Sequence, residues 1–172
     1  METTFEYLLT HSYKADLLAH MRTQPGDFGE LIQLALADKQ PYSWRAAWLL
    51  WSCMEKNDQR LRKHIGAFVA ALAERPDNQI REYLMILQKM DIPERFEGRL
   101  FDQCISIWEA VGKQPSVRCN AFRLMVRMVK RYPELRREIT FLTGPRYTDT
   151  LSPGVRHSIR KLSKDWTAAV DA

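Results

Sequence analysis

Apolar residues recur with the spacing of a helix along almost the whole chain, and no segment alternates apolar and polar residues as a half-buried strand does. This pattern predicts nine helices, at residues 4–22 with a break near Ser12, 27–38, 43–56, 58–73, 77–90, 94–111, 116–131, 134–142 and 153–166. All eight prolines fall between these segments or at their first residue, where proline ends or begins a helix. Because every predicted element is a helix, the fold class is all-α. Because the connections are short, neighbouring helices must run antiparallel.

Four of the predicted helices open in the same way. In each, a proline is followed three to five positions later by an arginine, and a large apolar residue stands directly before that arginine. The four openings are Pro41 to Arg45 (PYSWR), Pro76 to Arg81 (PDNQIR), Pro115 to Arg118 (PSVR) and Pro153 to Arg156 (PGVR). The arginines are 36, 37 and 38 residues apart, and this period, with one helical hairpin per unit, predicts an alpha-solenoid.

The chain resembles the HEAT repeat family, whose second helices commonly begin with proline, then Val-Arg, then small residues. The resemblance is carried by Trp44-Arg45 with Ala46 and Ala47, Ile80-Arg81, Val117-Arg118 with Ala121, and Val155-Arg156. It covers about residues 27–166 and implies a right-handed alpha-alpha superhelix, a HEAT/ARM-like solenoid of about four helical hairpins. The acidic residue usual ahead of Val-Arg is present only as Asp77, and the first helix of the fourth unit is short.

These observations predict a single alpha-solenoid domain that comprises residues 1–172. Residues 1–26 would form N-terminal capping helices, residues 27–166 the HEAT-like repeats, and residues 167–172 a tail. Arg45, Arg81, Arg118 and Arg156 would stack along the solenoid, because the matching arginine of HEAT proteins bonds acidic or carbonyl groups between repeats. Helical geometry agrees for Arg118, which lies within the apolar arc, about 140 degrees wide, of its helix.

The other basic residues of that helix, Arg123, Arg127, Lys130 and Arg131, lie on the opposite arc. The resemblance implies that second helices line a concave surface. The rows of equivalent positions are then Leu50, Ile86, Arg123 and Lys161, and Met54, Met90, Arg127 and Asp165. The surface would be apolar in its N-terminal half and basic in its C-terminal half, unless Leu50, Met54, Ile86 and Met90 are covered by other helices.

Charge is distributed unevenly along the chain. Residues 113–164 hold 13 basic and 3 acidic groups, a net charge of +10, whereas residues 1–112 have a net charge of −3. Such an excess would attract an acidic peptide, nucleic acid or an anionic surface, although a charged helix face can also be merely solvated. The candidate binding residues are Arg123, Arg127, Lys130, Arg131, Arg160, Lys161 and Lys164.

Three functions are compatible with these features. The first is a non-catalytic HEAT-like interaction module, or scaffold, that binds a protein partner through an acidic segment. The second is a nucleic-acid-binding protein whose cations contact phosphates. The third is an enzyme with distant similarity to the HEAT-like DNA alkylation-repair glycosylases, which combine a basic concave surface with aromatic residues and a carboxylate.

Trp44, Trp48 and Trp51 lie on one helix face and could stack a base, but their helix is apolar nearly all round, so core burial is predicted. An exposed Trp48 or Trp51 beside an acid would favour the glycosylase hypothesis.

Signals of catalysis are missing from the sequence. It has no glycine-rich phosphate loop, and His11, His20, His64 and His157 lack metal-ligand spacing, so no catalytic residue, metal or cofactor is predicted. Cys53, Cys104 and Cys119 lie in apolar helical patterns, which predicts buried free thiols in a reducing compartment. The start of the chain does not resemble a signal peptide, and no apolar stretch is long enough to span a bilayer. We therefore expect a cytoplasmic protein without membrane association.

Overall fold

A computed structural model describes residues 1–167 of the chain and the side chains of residues 1–164. Within this part every regular element is helical, so the predicted all-α fold is confirmed. None of the helices in residues 1–167 combines the length and the apolar character that crossing a bilayer requires. The chain divides into two compact units, Met1–Ile92 and a second that begins at Pro93. The predicted single domain stays a prediction, and residues 168–172 of the predicted tail lie outside the described residues.

The first unit consists of six α-helices. They are α1 (Thr4–His11), α2 (Lys14–Thr23), α3 (Phe28–Leu36), α4 (Tyr42–Cys53), α5 (Ile65–Ala71) and α6 (Asp77–Gln88). The predicted break near Ser12 is confirmed, since Ser12 ends α1 in an extended conformation. Helix α4 is central, because it packs against α1, α2, α3 and α6, and its buried Ala46 and Ala47 let neighbouring backbones approach closely.

The predicted helix 58–73 begins differently in the structure. Residues Gln59–His64 form a 3₁₀ helix, and α-helical geometry starts only at Ile65. The Asp58 carboxylate accepts the backbone N–H of Arg60, only two residues on, and this local bond tightens the first turn.

The second unit is built on a hairpin of two long helices. Its helices are α7 (Glu94–Glu109), α8 (Pro115–Arg131), α9 (Arg136–Ile139), α10 (Pro145–Thr148) and α11 (Pro153–Thr167). Helix α8 packs against both α7 and α11. The predicted apolar arc of α8 is buried, except for half-buried Tyr132, and Cys119, Phe122 and Val126 beside it are buried as well. Helix α8 therefore exposes only a narrow strip of its circumference.

The predicted helix 134–142 is wrong. In its place stand the 3₁₀ helix Pro133–Leu135, the four-residue α9 and the 3₁₀ helix Thr140–Thr143, and the short α10 that follows was not predicted. The Thr140 hydroxyl donates to the Arg136 carbonyl at 2.6 Å, and the Thr143 hydroxyl donates to the Thr140 carbonyl at 2.8 Å. These local bonds of β-branched residues compete with a regular helix, which explains the interruption.

Carbonyl groups at the ends of α3 and α4 are bonded by side chains from the region of α6. Gln79 donates to the carbonyls of Ala35 (3.1 Å) and Ala37 (3.0 Å), and the Tyr83 hydroxyl also donates to Ala35 (2.6 Å). At the end of α4, Lys89 Nζ donates to the Trp51 carbonyl at 2.6 Å. The last turn of a helix leaves such carbonyls without a partner, so these side chains remove the cost of burying them.

Arg118 has the corresponding role in the second unit, and it is completely buried. Its guanidinium donates to the carbonyls of Trp108 (2.8 Å) and Tyr147 (2.6 Å) and to the Thr150 hydroxyl (3.4 Å), and it lies 4.5 Å from the centroid of the Trp108 ring. Burial lowers the pKa of Arg118 below its ordinary value. The Trp108 indole donates to the Leu142 carbonyl at 2.9 Å, so this pair joins α7 and α8 to the segment that contains α10.

The predicted stack of four arginines is correct only in part. Arg45 resembles Arg118, because its Nε donates to the Leu9 carbonyl in the last turn of α1. Arg81 instead pairs with Glu82, its neighbour on the same helix, at 2.7 Å. The guanidinium of Arg156 makes no hydrogen bond or ion pair to any residue that the structure describes, so it does not continue the stack.

We expect Arg118→Ala to lower the free energy of unfolding by about 3 kcal/mol or more, because the buried carbonyls of Trp108 and Tyr147 lose their donor. Urea denaturation of the full chain followed by circular dichroism measures this change. Arg99→Ala, at an exposed position of α7, is the control and should change the free energy by no more than about 0.5 kcal/mol. Equal stability of the two variants would contradict the role of Arg118.

In the first unit, we expect Gln79→Ala to lower the free energy of unfolding by about 2 kcal/mol, because the half-buried Ala37 carbonyl loses its side-chain donor and the buried Ala35 carbonyl keeps only Tyr83. Gln33→Ala removes the same type of side chain from an exposed position of α3, and it should cost less than about 0.5 kcal/mol. The same denaturation experiment compares them. A Gln79 variant as stable as the Gln33 variant would refute this account of how the end of α3 is satisfied.

Candidate functional site

The exposed part of α8 carries four of the predicted binding residues. We call Arg123, Arg127, Lys130 and Arg131 the α8 basic strip. Arg123, Lys130 and Arg131 are exposed and Arg127 is half-buried. Along a helix these positions span an arc of about 100 degrees, opposite the side that carries Arg118. The predicted separation of inward and outward basic residues on this helix is therefore confirmed.

Arg123 and Arg131 of the α8 basic strip have polar partners within the second unit. Arg123 donates to the Asn120 side-chain oxygen at 3.2 Å, one turn earlier on α8. Arg131 forms an ion pair with Glu97 of α7 at 2.7 Å, and the Tyr132 hydroxyl donates to the other Glu97 oxygen at 2.5 Å. This hydrogen bond to the carboxylate raises the pKa of Tyr132. Glu97 thus partly neutralises Arg131 at the C-terminal end of the strip.

The other three predicted binding residues, Arg160, Lys161 and Lys164, are exposed on α11, which packs against α8. The buried side of α11 contains Ile159 and Ser163. By helical geometry, Arg160 and Lys164 lie on one flank of that side, and Lys161 lies further round, nearly opposite it. The structure therefore brings the seven cations onto two packed helices, but the three on α11 do not share one face.

The apolar residues predicted to continue the surface are not available for binding. Leu50, Met54, Ile86 and Met90 are all buried, with at most 5% of their surface exposed. The alternative that other helices cover these residues is confirmed. Asp165, the last position of the second predicted row, lies outside the described side chains.

Trp44, Trp48 and Trp51 are predicted to be buried in the core, but each of them is only half-buried. Cations of this chain lie against the indoles: Lys14 Nζ is 5.5 Å from the Trp48 ring centroid, and Lys89 Nζ is 5.9 Å from that of Trp51. The helix is apolar on most sides, but the unit is too small to enclose three indoles completely.

Trp51 also lies beside an acid, the arrangement that would favour the glycosylase hypothesis. Its indole N–H donates to one oxygen of Glu82, and Arg81 donates to the other. The Glu82 side chain is 5% exposed. Because both of its oxygens are engaged and it is nearly enclosed, Glu82 serves as a structural acceptor and is poorly placed to act on a bound base.

The second unit contains two cavities that the sequence pattern does not predict. The larger one, about 410 Å³, has an apolar floor that includes Phe101, Met128 and Leu135, and five carboxylates line it. These are Glu94, Glu97, Asp102, Glu134 and Glu138. The unit therefore carries an acid-lined cavity as well as its basic strip.

The smaller cavity, about 210 Å³, lies between α11 and the segment that contains α10. It is lined by Thr143, Pro145, Thr148, Asp149, Arg156, Ile159, Arg160 and Ser163. We call it the Arg156–Arg160 cavity. Because Arg156 and Arg160 are four residues apart, they lie on one flank of α11. This spacing is the feature of the sequence from which the site could have been predicted.

The cysteines are free thiols: Cys104 and Cys119 are buried as predicted, and Cys53 is half-buried. Burial raises the pKa of Cys53 to about 11, so this thiol stays protonated at neutral pH. No group of three or more histidine, cysteine or acidic side chains within the described part of the chain could hold a metal ion.

We expect the double substitution Arg123→Glu and Arg127→Glu to leave the fold intact, with a change in the free energy of unfolding below about 1 kcal/mol. The first reason is that exposed Arg123 and half-buried Arg127 both lie on the arc of α8 opposite Arg118. The second reason is that an acidic side chain at position 127 would lie one turn before Arg131, which replaces repulsion by attraction. Far-UV circular dichroism and a thermal melt measure the outcome. Loss of helical signal or of a cooperative melt would contradict the outward orientation of the strip.

A family model described as a HEAT repeat domain matches residues 7–166 of the chain. The match includes most of the N-terminal segment predicted to form capping helices, and it ends at the predicted boundary of the repeats. No curated protein and no solved structure is similar enough to the chain to count as a match.

Proposed function

Because the chain belongs to the HEAT repeat family, whose repeats generally mediate protein interactions, we propose that it binds an acidic segment of a partner protein on the basic surface of its second unit. This surface comprises the α8 basic strip together with Arg160, Lys161 and Lys164 of α11. In this proposal the chain is a non-catalytic interaction module: it supplies a rigid array of cations, and the partner supplies the carboxylates.

The observation that carries the proposal is the concentration of charge on two packed helices. Residues 113–164 have a net charge of +10, and Arg123, Lys130, Arg160, Lys161 and Lys164 are exposed. The packed hairpin holds the α8 cations on one strip, so a partner meets an ordered array and not a flexible tail. Complementary arrays of this kind increase association rates and favour oppositely charged partners.

The strength expected of such binding follows from the exposure of the cations. An exposed ion pair contributes only about 0.2–1 kcal/mol, so several must act together to hold a partner. Because salt screens exposed charges strongly, the interaction should weaken as ionic strength rises. A fast, salt-sensitive and moderately weak interaction is therefore expected.

Nucleic acid is the second candidate ligand, because the same exposed Arg and Lys side chains can contact phosphates without reading sequence. The half-exposed tryptophans lie in the first unit and are not needed for this mode. Nucleic acid bound through its phosphates has a higher charge density than an acidic peptide. Direct competition between the two for the same surface therefore shows which of them binds more tightly.

The test is fluorescence anisotropy of a labelled Glu/Asp-rich peptide and of labelled single-stranded and duplex oligonucleotides, with the full chain, from low to physiological salt. We expect the peptide to bind at low salt and to lose at least tenfold in affinity in the Arg123→Glu, Arg127→Glu variant, because two attractive contacts become repulsive. The matched control is Arg99→Glu with Arg137→Glu, two exposed positions outside this surface that change the net charge equally.

A control variant that loses as much affinity as the strip variant would reduce the effect to net charge and contradict the proposed surface. Tighter binding of the oligonucleotides, with displacement of the peptide, would establish the second candidate instead. Absence of binding to either ligand at low salt would refute both.

A further inference from the structure

The Arg156–Arg160 cavity has the composition of an anion site, and we infer that it binds a phosphoryl group. It lies within the second unit, between α11 and residues 143–149. The site itself does not depend on the proposed function, because the cavity is formed by this chain alone.

The first reason is that the two guanidiniums have no partner among the side chains and backbone groups of residues 1–164. Neither Arg156, which is half-buried, nor Arg160 makes a hydrogen bond or ion pair with its side chain to any group in residues 1–164. Arg45 and Arg75, which are also half-buried, each donate to a backbone carbonyl. Two like charges four residues apart on a helix repel each other, and a partly desolvated cation needs an acceptor. A bound anion would reduce the repulsion between the two arginines and would supply the missing hydrogen-bond acceptor.

The second reason is that the hydroxyl groups of the cavity already donate their protons elsewhere. Thr143 donates to the Thr140 carbonyl (2.8 Å), Thr148 donates to the Gly144 carbonyl (3.2 Å), and Ser163 donates to the Ile159 carbonyl (2.9 Å). The donors that remain for a ligand are therefore the guanidinium N–H groups. Arginine presents these in a planar fork that matches phosphate oxygens, so the cavity favours an oxyanion over a neutral ligand.

The third reason is the size of the cavity. Its volume, about 210 Å³, is below the range of roughly 300–1,000 Å³ that is typical of pockets for whole small molecules. It suits a single charged group and the few atoms that carry it. A phosphoryl group, with a charge of about −1.5 to −2 at neutral pH, balances two arginines better than one carboxylate does.

Asp149 also lines the cavity, and its carboxylate is not within ion-pair distance of either arginine. It is exposed, so it can repel an incoming anion without neutralising the guanidiniums. Removal of its charge should therefore strengthen binding of the anion, whereas removal of the arginines should weaken it.

The phosphoryl group can come from free phosphate or from a phosphorylated serine or threonine of a partner. The second source deepens the proposed function, on which it rests: the acidic segment would then place one phosphorylated side chain in the cavity. The chemistry that the cavity recognises is the same for both sources.

The experiment is a titration of the full chain with inorganic phosphate at constant ionic strength, followed by backbone amide chemical shifts. We expect saturable shifts around the cavity, and a loss of at least tenfold in affinity in Arg156→Gln with Arg160→Gln. Arg99→Gln with Arg137→Gln removes two exposed arginines elsewhere in the unit and should change the affinity less than about twofold. Asp149→Asn should increase the affinity by roughly two- to fivefold. Circular dichroism and a thermal melt verify that each variant folds.

Absence of saturable shifts, or equal losses in the two arginine pairs, would overturn the inference. A second arm uses an acidic peptide with and without one phosphoserine. Tighter binding of the phosphopeptide than of inorganic phosphate supports the site with a partner as the source, and equal affinities support the site with free phosphate as the source.

The two proposals can fail separately. If the Arg123→Glu, Arg127→Glu variant binds inorganic phosphate normally and acidic peptides bind nowhere, the cavity stands and the proposed function fails. If acidic peptides bind the α8 basic strip but phosphate does not bind, the cavity assignment fails alone.

Discussion

The carbonyl groups at the ends of the helices are the constraint on which the packing of both units depends. Each helix leaves carbonyls of its last turn without an intrahelical donor, and burying them unpaired is costly. Gln79, Tyr83 and Lys89 satisfy the ends of α3 and α4, and Arg118 satisfies the end of α7. Because these donors lie on or directly after later helices of the chain, each bond also fixes how the end of one helix meets another element.

This constraint separates the basic residues of α8 into two roles. The guanidinium of Arg118 donates to neutral carbonyl and hydroxyl acceptors in the core, so it is not available to bind a ligand. The residues on the opposite arc cannot reach those acceptors, and three of the four are exposed. One helix thus anchors the second unit on one side and presents a basic surface on the other, so a charge-reversal on the outer side can be made without disturbing the anchor.

The second unit presents charge of both signs in defined places. Five carboxylates surround the apolar floor of the larger cavity, and the Glu97–Arg131 ion pair stands between that cavity and the basic strip. A partner bound as proposed must place its own charges in register with this pattern, because a uniformly charged polymer meets repulsion. In the proposed phosphoryl site, Arg156 and Arg160 would select one charge of the partner more stringently than the rest.

The sequence by itself determined the helical fold, the inward position of Arg118 and the outward position of Arg123 and its neighbours, because these follow from the period of the α-helix. The repeated proline-arginine opening is visible directly in the residues. Only the tertiary structure decided the half-exposed tryptophans, the pairing of Arg131 with Glu97 and the cavity at Arg156 and Arg160. Glu97 and Arg131 are 34 residues apart, and the cavity joins α11 to a segment ahead of it. Helical periodicity gives the direction of a side chain from its own helix, but its partner depends on which distant segment packs there.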